Sequence, residues 1–192
     1  MGREFELKYR ADSASIARIR EKYGDFIAIS METVYYDTPD LALSRRRWTL
    51  RQRYENGTAV CTLKTPAPDG SRGEWELPCD SLREAIPELC KLGAPEELLT
   101  LTADALQVTC GARFTRMSKT IPLPDAALEL ALDQGVLIGG GKEVPFAEVE
   151  AELKEGSEDA VRAFAQALAA EFGLTEEPNS KHKRAMLLNA AK

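Results

Sequence analysis

The chain has 192 residues, 44% of them hydrophobic and 29% charged, enough apolar material for one sizeable core. A formal net charge of -6 argues against a broad nucleic-acid duplex surface, which needs a net basic footprint, but leaves room for a small, deep basic site. Charged residues among the first ten argue against a secretory signal, and no apolar run reaches the length of a membrane span. The four cysteines (61, 79, 90 and 110) contain no Cys-x-x-Cys pair and read as reduced thiols, so a cytoplasmic protein with no membrane partner is expected.

In chain order, residues 4–10 alternate charged and apolar side chains and read as a strand. Residues 12–23 read as a helix, with Asp12 as cap and Gly24 as stop. Residues 27–36 form a strand that ends in the turn signal Asp37-Thr38-Pro39-Asp40. Residues 49–54 and 59–64 flank Asn56-Gly57, a strong hairpin signal, and residues 73–77 add a further strand. A helix is predicted over 80–92, capped by Asp80, stopped by Gly93 and kinked by Pro87. Another is predicted over 95–106, with Pro95 near its first turn. Strands follow at 112–121, 127–133 and 148–154, with Gly139-Gly140-Gly141 as a flexible connection before the last. Residues 157–172 give the clearest helix: Ser157 caps it, Val161, Phe164, Ala165 and Leu168 form its stripe, and Gly173 ends it. A short helix over 180–189 closes the series. About eight strands joined mostly by short turns, without βαβ alternation, imply an α+β fold with an antiparallel sheet that curls or closes.

The charged phase of each strand carries the chemistry. Side chains alternate faces, so Glu4, Glu6, Lys8 and Arg10 share one face. The same holds for Arg51 with Arg53, Glu74 with Glu76, Glu129 with Asp133, and Glu148, Glu150 and Glu152 with Lys154; Lys64 stands in the charged phase of its own strand. Solvated faces of one-sided sheets are the simplest account of any single strand. The joint pattern favours another, because like charges two residues apart repel unless counter-charge is supplied. A barrel with a polar lumen supplies it. Paired carboxylates suit hard divalent cations such as Mg2+ or Mn2+, and arginine forks suit phosphate oxygens. A polyphosphate chain with a divalent cation would neutralise both sets, and the reaction suited to such a site is phosphoryl transfer to water.

Glu4-x-Glu6-x-Lys8 resembles the ExExK signature of the CYTH superfamily, the triphosphate tunnel metalloenzymes. Tyr35-Tyr36-Asp37-Thr38-Pro39, Leu50-Arg51-Gln52-Arg53, Thr62-Leu63-Lys64, Glu74-Trp75-Glu76, the stretch from Glu129 to Gly135, Glu150-Ala151-Glu152-Leu153-Lys154 and Ser180-Lys181-His182-Lys183-Arg184-Ala185 continue the resemblance in the family's order, across nearly the whole chain. It implies a single domain over 1–192, built as an eight-stranded antiparallel β-barrel with flanking helices. By the same resemblance, Glu4, Glu6, Glu150 and Glu152 would hold the metals. Lys8, Arg51, Arg53, Lys64, Arg116, Lys181 and Arg184 would grip the triphosphate. Glu4, Glu6 and Lys8 would be catalytic, and Glu74, Glu76, Glu129 and Asp133 would be further acidic wall. Arg113 and Lys119 lie in the same segment as Arg116, which the Phe114-x-Arg116 pattern favours.

Within that family the stretches 129–135 and 148–154 are most similar to bacterial inorganic triphosphatases, which split tripolyphosphate into pyrophosphate and phosphate. Those relatives often carry a helical CHAD domain after the tunnel, for which this chain is too short, so a stand-alone tunnel or an excised domain is expected. Class IV adenylyl cyclases share the fold but carry an aromatic-histidine element near ExExK, where this chain has Met1-Gly2-Arg3. A thiamine triphosphatase and a non-catalytic polyphosphate- or nucleotide-binding module stay open as alternatives. Outside the motifs, His182 is expected at the surface or the tunnel rim. Trp48 and Trp75 are expected to pack beneath the helices, and Arg45-Arg46-Arg47 to form a solvated loop.

Overall fold

A computed structural model describes residues 5–66 and 72–190 of the chain. The elements run β1 (Glu6–Arg10), α1 (Ser13–Tyr23), β2 (Ile27–Asp37), α2 (Ala42–Arg45), β3 (Thr49–Glu55), β4 (Thr58–Pro66), β5 (Arg72–Pro78), α3 (Leu82–Lys91), α4 (Glu97–Leu101), β6 (Gln107–Pro122), β7 (Ala126–Gly139), β8 (Lys142–Gly156), α5 (Glu158–Phe172), β9 (Thr175–Glu176) and α6 (Lys181–Ala190). All nine strands join one antiparallel sheet in the order β5-β4-β3-β2-β6-β7-β8-β1-β9. The expected eight-stranded barrel is therefore a nine-stranded sheet that stays open: among the described residues β5 and β9 are its unpaired edges.

Local chemistry explains most of the element ends. Asp12 accepts from the Ser15 amide at 2.7 Å, so α1 starts where the sequence places it. Ser157 caps α5, and Gly173 ends it at φ 67. The cap of α3 is Ser81 rather than Asp80, because the Ser81 hydroxyl is the group that reaches the Glu84 amide. The helix predicted over 95–106 is confined to Glu97–Leu101. Thr102 ends it by turning its hydroxyl back onto the Leu98 carbonyl at 2.8 Å.

The largest departure is in strand length. β6, β7 and β8 have 16, 14 and 15 residues, well beyond their predicted cores. Gly139-Gly140-Gly141 is accordingly a tight hairpin turn, with Gly139 paired to Lys142, and not a flexible connection. Gly140 has φ 58, and a Cβ there would lie 2.6 Å from the Leu188 carbonyl, so the turn needs glycine for both conformation and the approach of α6.

The leucine phase of the strands faces outward under helices. Leu128, Leu130, Leu132, Val149 and Ala151 pack against Ile16 and Ile19 of α1 and against Val161, Ala165, Leu168 and Phe172 of α5. Leu50, Cys61 and Leu63 pack under α2, α3 and α4, together with Trp48 and Trp75, as their phase predicts. Truncating a fully buried leucine such as Leu130 to alanine would cost about 2–5 kcal/mol. This outward burial leaves the charged phase on the concave side. A third cluster, built on Met31, Tyr35, Phe114 and Leu137, receives Ala185 of α6. The first turn of α6 thereby joins the wall of the concave cavity.

Candidate active site

The concave face encloses a cavity of about 340 Å³. Glu6, Lys8, Arg51, Arg53, Lys64, Glu74, Glu76, Arg116, Glu129, Glu150, Glu152 and Lys181 all line it, so one cavity gathers most of the charged residues that the strand phases and the family resemblance single out. Asp133 is fully buried behind Arg116 and Lys181. Arg184 lies outside the lining, bound to Glu148. Glu4 lies outside the described residues.

The cavity has two electrostatically different parts. In the first, three cations are bonded to three buried carboxylates. Arg116 forks onto Asp133 with two bonds of 2.8 Å and also bonds Glu150. Lys181 reaches Asp133 at 2.7 Å, Glu150 at 2.9 Å and Glu148, while Arg184 bonds Glu148. Three cations face three buried carboxylates. Burial works against the charge of Arg116, but Glu150 and Asp133 overcome it and hold its pKa well above the ordinary value. Burial also opposes the charge of Glu150, yet Lys181 and Arg116 hold that carboxyl well below the ordinary range. Its coupled neighbour Glu148 is pushed up to about 7, by burial and then by the Glu150 charge, against the pull of Lys181 and Arg184.

In the second part the cations outnumber the buried carboxylates they are seen to bond. Arg51 approaches Glu74 at 3.7 Å, and Lys64 approaches the same carboxylate oxygen at 3.2 Å. Arg53 pairs with Glu55 at 2.5 Å. The Nε atoms of Arg51 and Arg53 are buried without a hydrogen-bond partner, as is that of Arg184 in the first part. Burial and the neighbouring Arg51 push the Arg53 pKa down, the reverse of Arg116. Buried guanidinium groups with donors to spare call for an anion.

Beside these cations runs a row of carboxylates. Cross-strand pairing sets Glu6 opposite Glu152, and Glu152 opposite Glu129, across β1, β8 and β7. Their side chains keep 23%, 28% and 24% exposure to the cavity. Lys8 contacts Glu6 at 3.3 Å, and Lys154 contacts Glu152 at 2.8 Å and Glu129 at 3.5 Å. An all-oxygen set of this kind fits a hard divalent cation. Oxygens of Asp133, Glu148 and Glu150 lie within 4.8 Å of one another and also form an acidic cluster, but Arg116, Lys181 and Arg184 already bond it. The exposed row is therefore the better fit. Glu150, expected among the metal ligands, has one oxygen on Lys181 and the other on Arg116.

Residues 2–186 match the CYTH domain family. The chain belongs to the CYTH family. It is 32% identical over 160 residues to the inorganic triphosphatase of Haemophilus influenzae, covering 81% of this chain and 45% of that protein. The chain thus spans under half the length of this curated relative. Among solved CYTH-like folds, the Hippeastrum protein HpAC1, described as a candidate adenylyl cyclase with dominant triphosphatase activity, superposes with a TM-score of 0.66 at 19% identity over 93% of both chains. The Pyrococcus horikoshii protein PH1819 gives 0.62 at 21% identity, over 98% of this chain and 99% of its own. Both likenesses establish the fold.

Strand phase already includes Glu148 and Lys154 in β8, to which the family resemblance assigns no role; the first anchors two cations and the second lines the cavity. Glu55 also lines it and carries no family motif. His182 lines the cavity with its ring 4.8 Å from that of Tyr35, in keeping with a rim position. Arg45 pairs with Asp40 and Arg46 with Glu97, both on exposed side chains, so the basic triplet is solvated, but it begins in α2 rather than forming a loop. The four cysteines are free thiols, and burial raises Cys61 and Cys110 to about 11, which keeps them protonated. Among the described residues, no helix is long and apolar enough to cross a membrane.

Proposed function

We propose that this CYTH domain hydrolyses inorganic triphosphate to pyrophosphate and phosphate with the help of a divalent cation, Mg2+ or Mn2+. The observation that carries this reading is the juxtaposition, in one cavity, of the Glu6–Glu152–Glu129 row with Arg51 and Arg53, whose buried Nε atoms lack partners, and with the nearby Lys64. The family membership and the Haemophilus relative support it.

Glu6 and Glu152 would hold the cation, with Glu129 beside them and Glu4, two residues before Glu6 in sequence, as a further ligand. Glu150 joins them only by releasing a cation partner. When bound, the cation would supply charge neutralisation on phosphate oxygens and a more acidic water. The chain's own residues do the rest. Arg51 and Arg53 take up phosphate oxygens with Nε donors that lack partners, Lys64 joins them, and Glu74 and Glu76 bound that wall. Lys8, beside Glu6, stabilises charge that develops on the leaving pyrophosphate as water oxygen bonds the terminal phosphorus and the P–O bridge breaks. Arg116, Lys181 and Arg184 stabilise the far wall, and the first two also face the cavity.

Phosphate release measured with Mg2+ or Mn2+ on triphosphate, thiamine triphosphate and ATP tests the reading. Turnover of triphosphate above the other two is expected. Preferred turnover of thiamine triphosphate, cyclic AMP from ATP, or tight triphosphate binding without release would each replace the proposal with a specific rival. Glu6→Gln should abolish turnover and leave the fold intact; full activity would sink the metal assignment.

A further inference from the structure

The cavity does not explain Glu177. This residue follows β9, is 4% exposed, and does not line the cavity. Its amide donates to the Lys8 carbonyl at 2.9 Å, which ties it to the strand that carries Glu6 and Lys8. One carboxylate oxygen accepts from Arg10 Nε at 2.5 Å and faces Arg184 at 3.7 Å. The other accepts from the Asn179 amide at 3.0 Å, fixing the bend that leads into α6. Arg184 is in turn bonded to Glu148, and Glu148 to Lys181. A relay of alternating charge thus runs from β1 through Glu177, Arg184 and Glu148 to the ammonium in the cavity wall.

We propose that Glu177 is a positioning residue: by clamping Arg10, Arg184 and the Asn179 amide it fixes the first turn of α6 against β1, and so sets where Lys181 stands in the cavity. The physical need is plain. Ser180, Lys181 and His182 enter the cavity from a helix start, and a helix start leaves several amides without intrahelical partners. α6 has only 10 residues, and Ala185 is its one fully packed side chain. Apolar burial alone anchors such a helix weakly, so polar ties must define its register. Glu177 supplies ties to strand, to bend and to helix with a single carboxylate. Part of the test rests on the triphosphatase reading above, and part does not.

Hydrogen exchange of residues 178–184 in the ligand-free protein is the part that is independent of activity. Glu177→Ala should speed exchange there and leave β6 and β7 unchanged, with Glu177→Gln between it and the parent because Gln keeps one acceptor oxygen, enough for Arg10 or the Asn179 amide but not both. The second part is the KM for triphosphate, expected to rise about tenfold in Glu177→Ala, as is usual when a support behind a ligand-binding group is lost. The third is the double variant with Lys181→Met, in which Glu177→Ala should add nothing further to KM, because the two act through one group. Unchanged exchange in Glu177→Ala overturns the clamp. Additive KM effects overturn its action through Lys181. A parent protein that neither binds nor turns over triphosphate overturns the functional reading alone, and the exchange result still decides the clamp.

Discussion

Arg53 and Arg116 stand in one cavity, both from the charged phase of their strands, and burial penalises the charge of each. They end in opposite states. Arg116 is met by Asp133 and Glu150, and its charge is locked in. Arg53 is met by Glu55 and repelled by Arg51, its Nε has no partner, and its pKa falls. The difference teaches where counter-charge comes from. One half of the cavity carries its own, in the buried acids Asp133, Glu148 and Glu150. The other half leaves two buried guanidinium Nε atoms without a partner, which is what the proposed phosphate site would use.

Neutralising one cation in each half should break this contrast most visibly. Lys181→Met removes the ammonium shared by Asp133, Glu148 and Glu150. Loss of one partner from a buried charge cluster costs about 3–5 kcal/mol. Melting should therefore fall by on the order of 10 °C for a chain of this size. Arg53→Met should leave the melting temperature unchanged or higher, since it removes a guanidinium that burial already penalises. Its cost should appear in kcat/KM for triphosphate, lowered by about a hundredfold, as for loss of one charged group aimed at developing charge. Thermal melts and steady-state kinetics on the two variants check this together. Equal destabilisation by both would erase the distinction between the halves.

Chelation offers a second way to separate the halves. Stripping divalent cations with EDTA should abolish triphosphate turnover while moving the melting temperature little, because the buried charges of the sealed half are compensated by protein groups. Adding back Mg2+ or Mn2+ should restore turnover. A large loss of stability on chelation would instead place the cation in the Asp133–Glu148–Glu150 cluster.

Ligand binding sharpens the comparison from the other side. Triphosphate with its cation, at a hundred times its dissociation constant, should stabilise the protein by about 2.7 kcal/mol. That corresponds to a rise of roughly 5–11 °C in melting temperature. Arg53→Met should lose most of the rise, measured by thermal shift across a triphosphate titration.

The outward leucines and inward charges were legible because a strand has only two faces: once Leu128, Leu130 and Leu132 need burial, Glu129 and Asp133 must point the other way. The saturated and open halves were not legible. Arg53 came from a strand phase and Arg116 from the family pattern, both as phosphate-gripping residues, and the acids that bond Arg116 lie 17 and 34 residues away in sequence. The long ends of β6 and β7 were hidden for a local reason. Gly135 interrupts the alternation of β7, and it does so because a Cβ there would lie 2.1 Å from the Arg113 carbonyl and 2.5 Å from Phe114. Glu177 was invisible because its segment carries no periodicity: β9 has two residues, and the acid's partners, Arg10 and Arg184, come from opposite ends of the chain.

Acid provides the finest probe of the charges that close the sealed half. Glu177 is buried, which opposes its charge, but hydrogen bonds from Arg10 and the Asn179 amide and the charge of Arg184 hold its carboxyl below the ordinary 4.5. A carboxyl whose pKa is depressed by folding binds its proton more readily when unfolded. Its contribution is therefore complete above 4.5 and is lost as pH falls through the lower, folded value. Glu177→Gln removes that contribution at neutral pH and has nothing left to lose in acid. The parent and variant stability curves, measured by urea denaturation from pH 7 to pH 3, should lie apart at neutral pH and converge below 4.5. Curves that keep a constant separation, or that coincide throughout, would mean that the carboxylate charge at 177 does not hold α6 to β1.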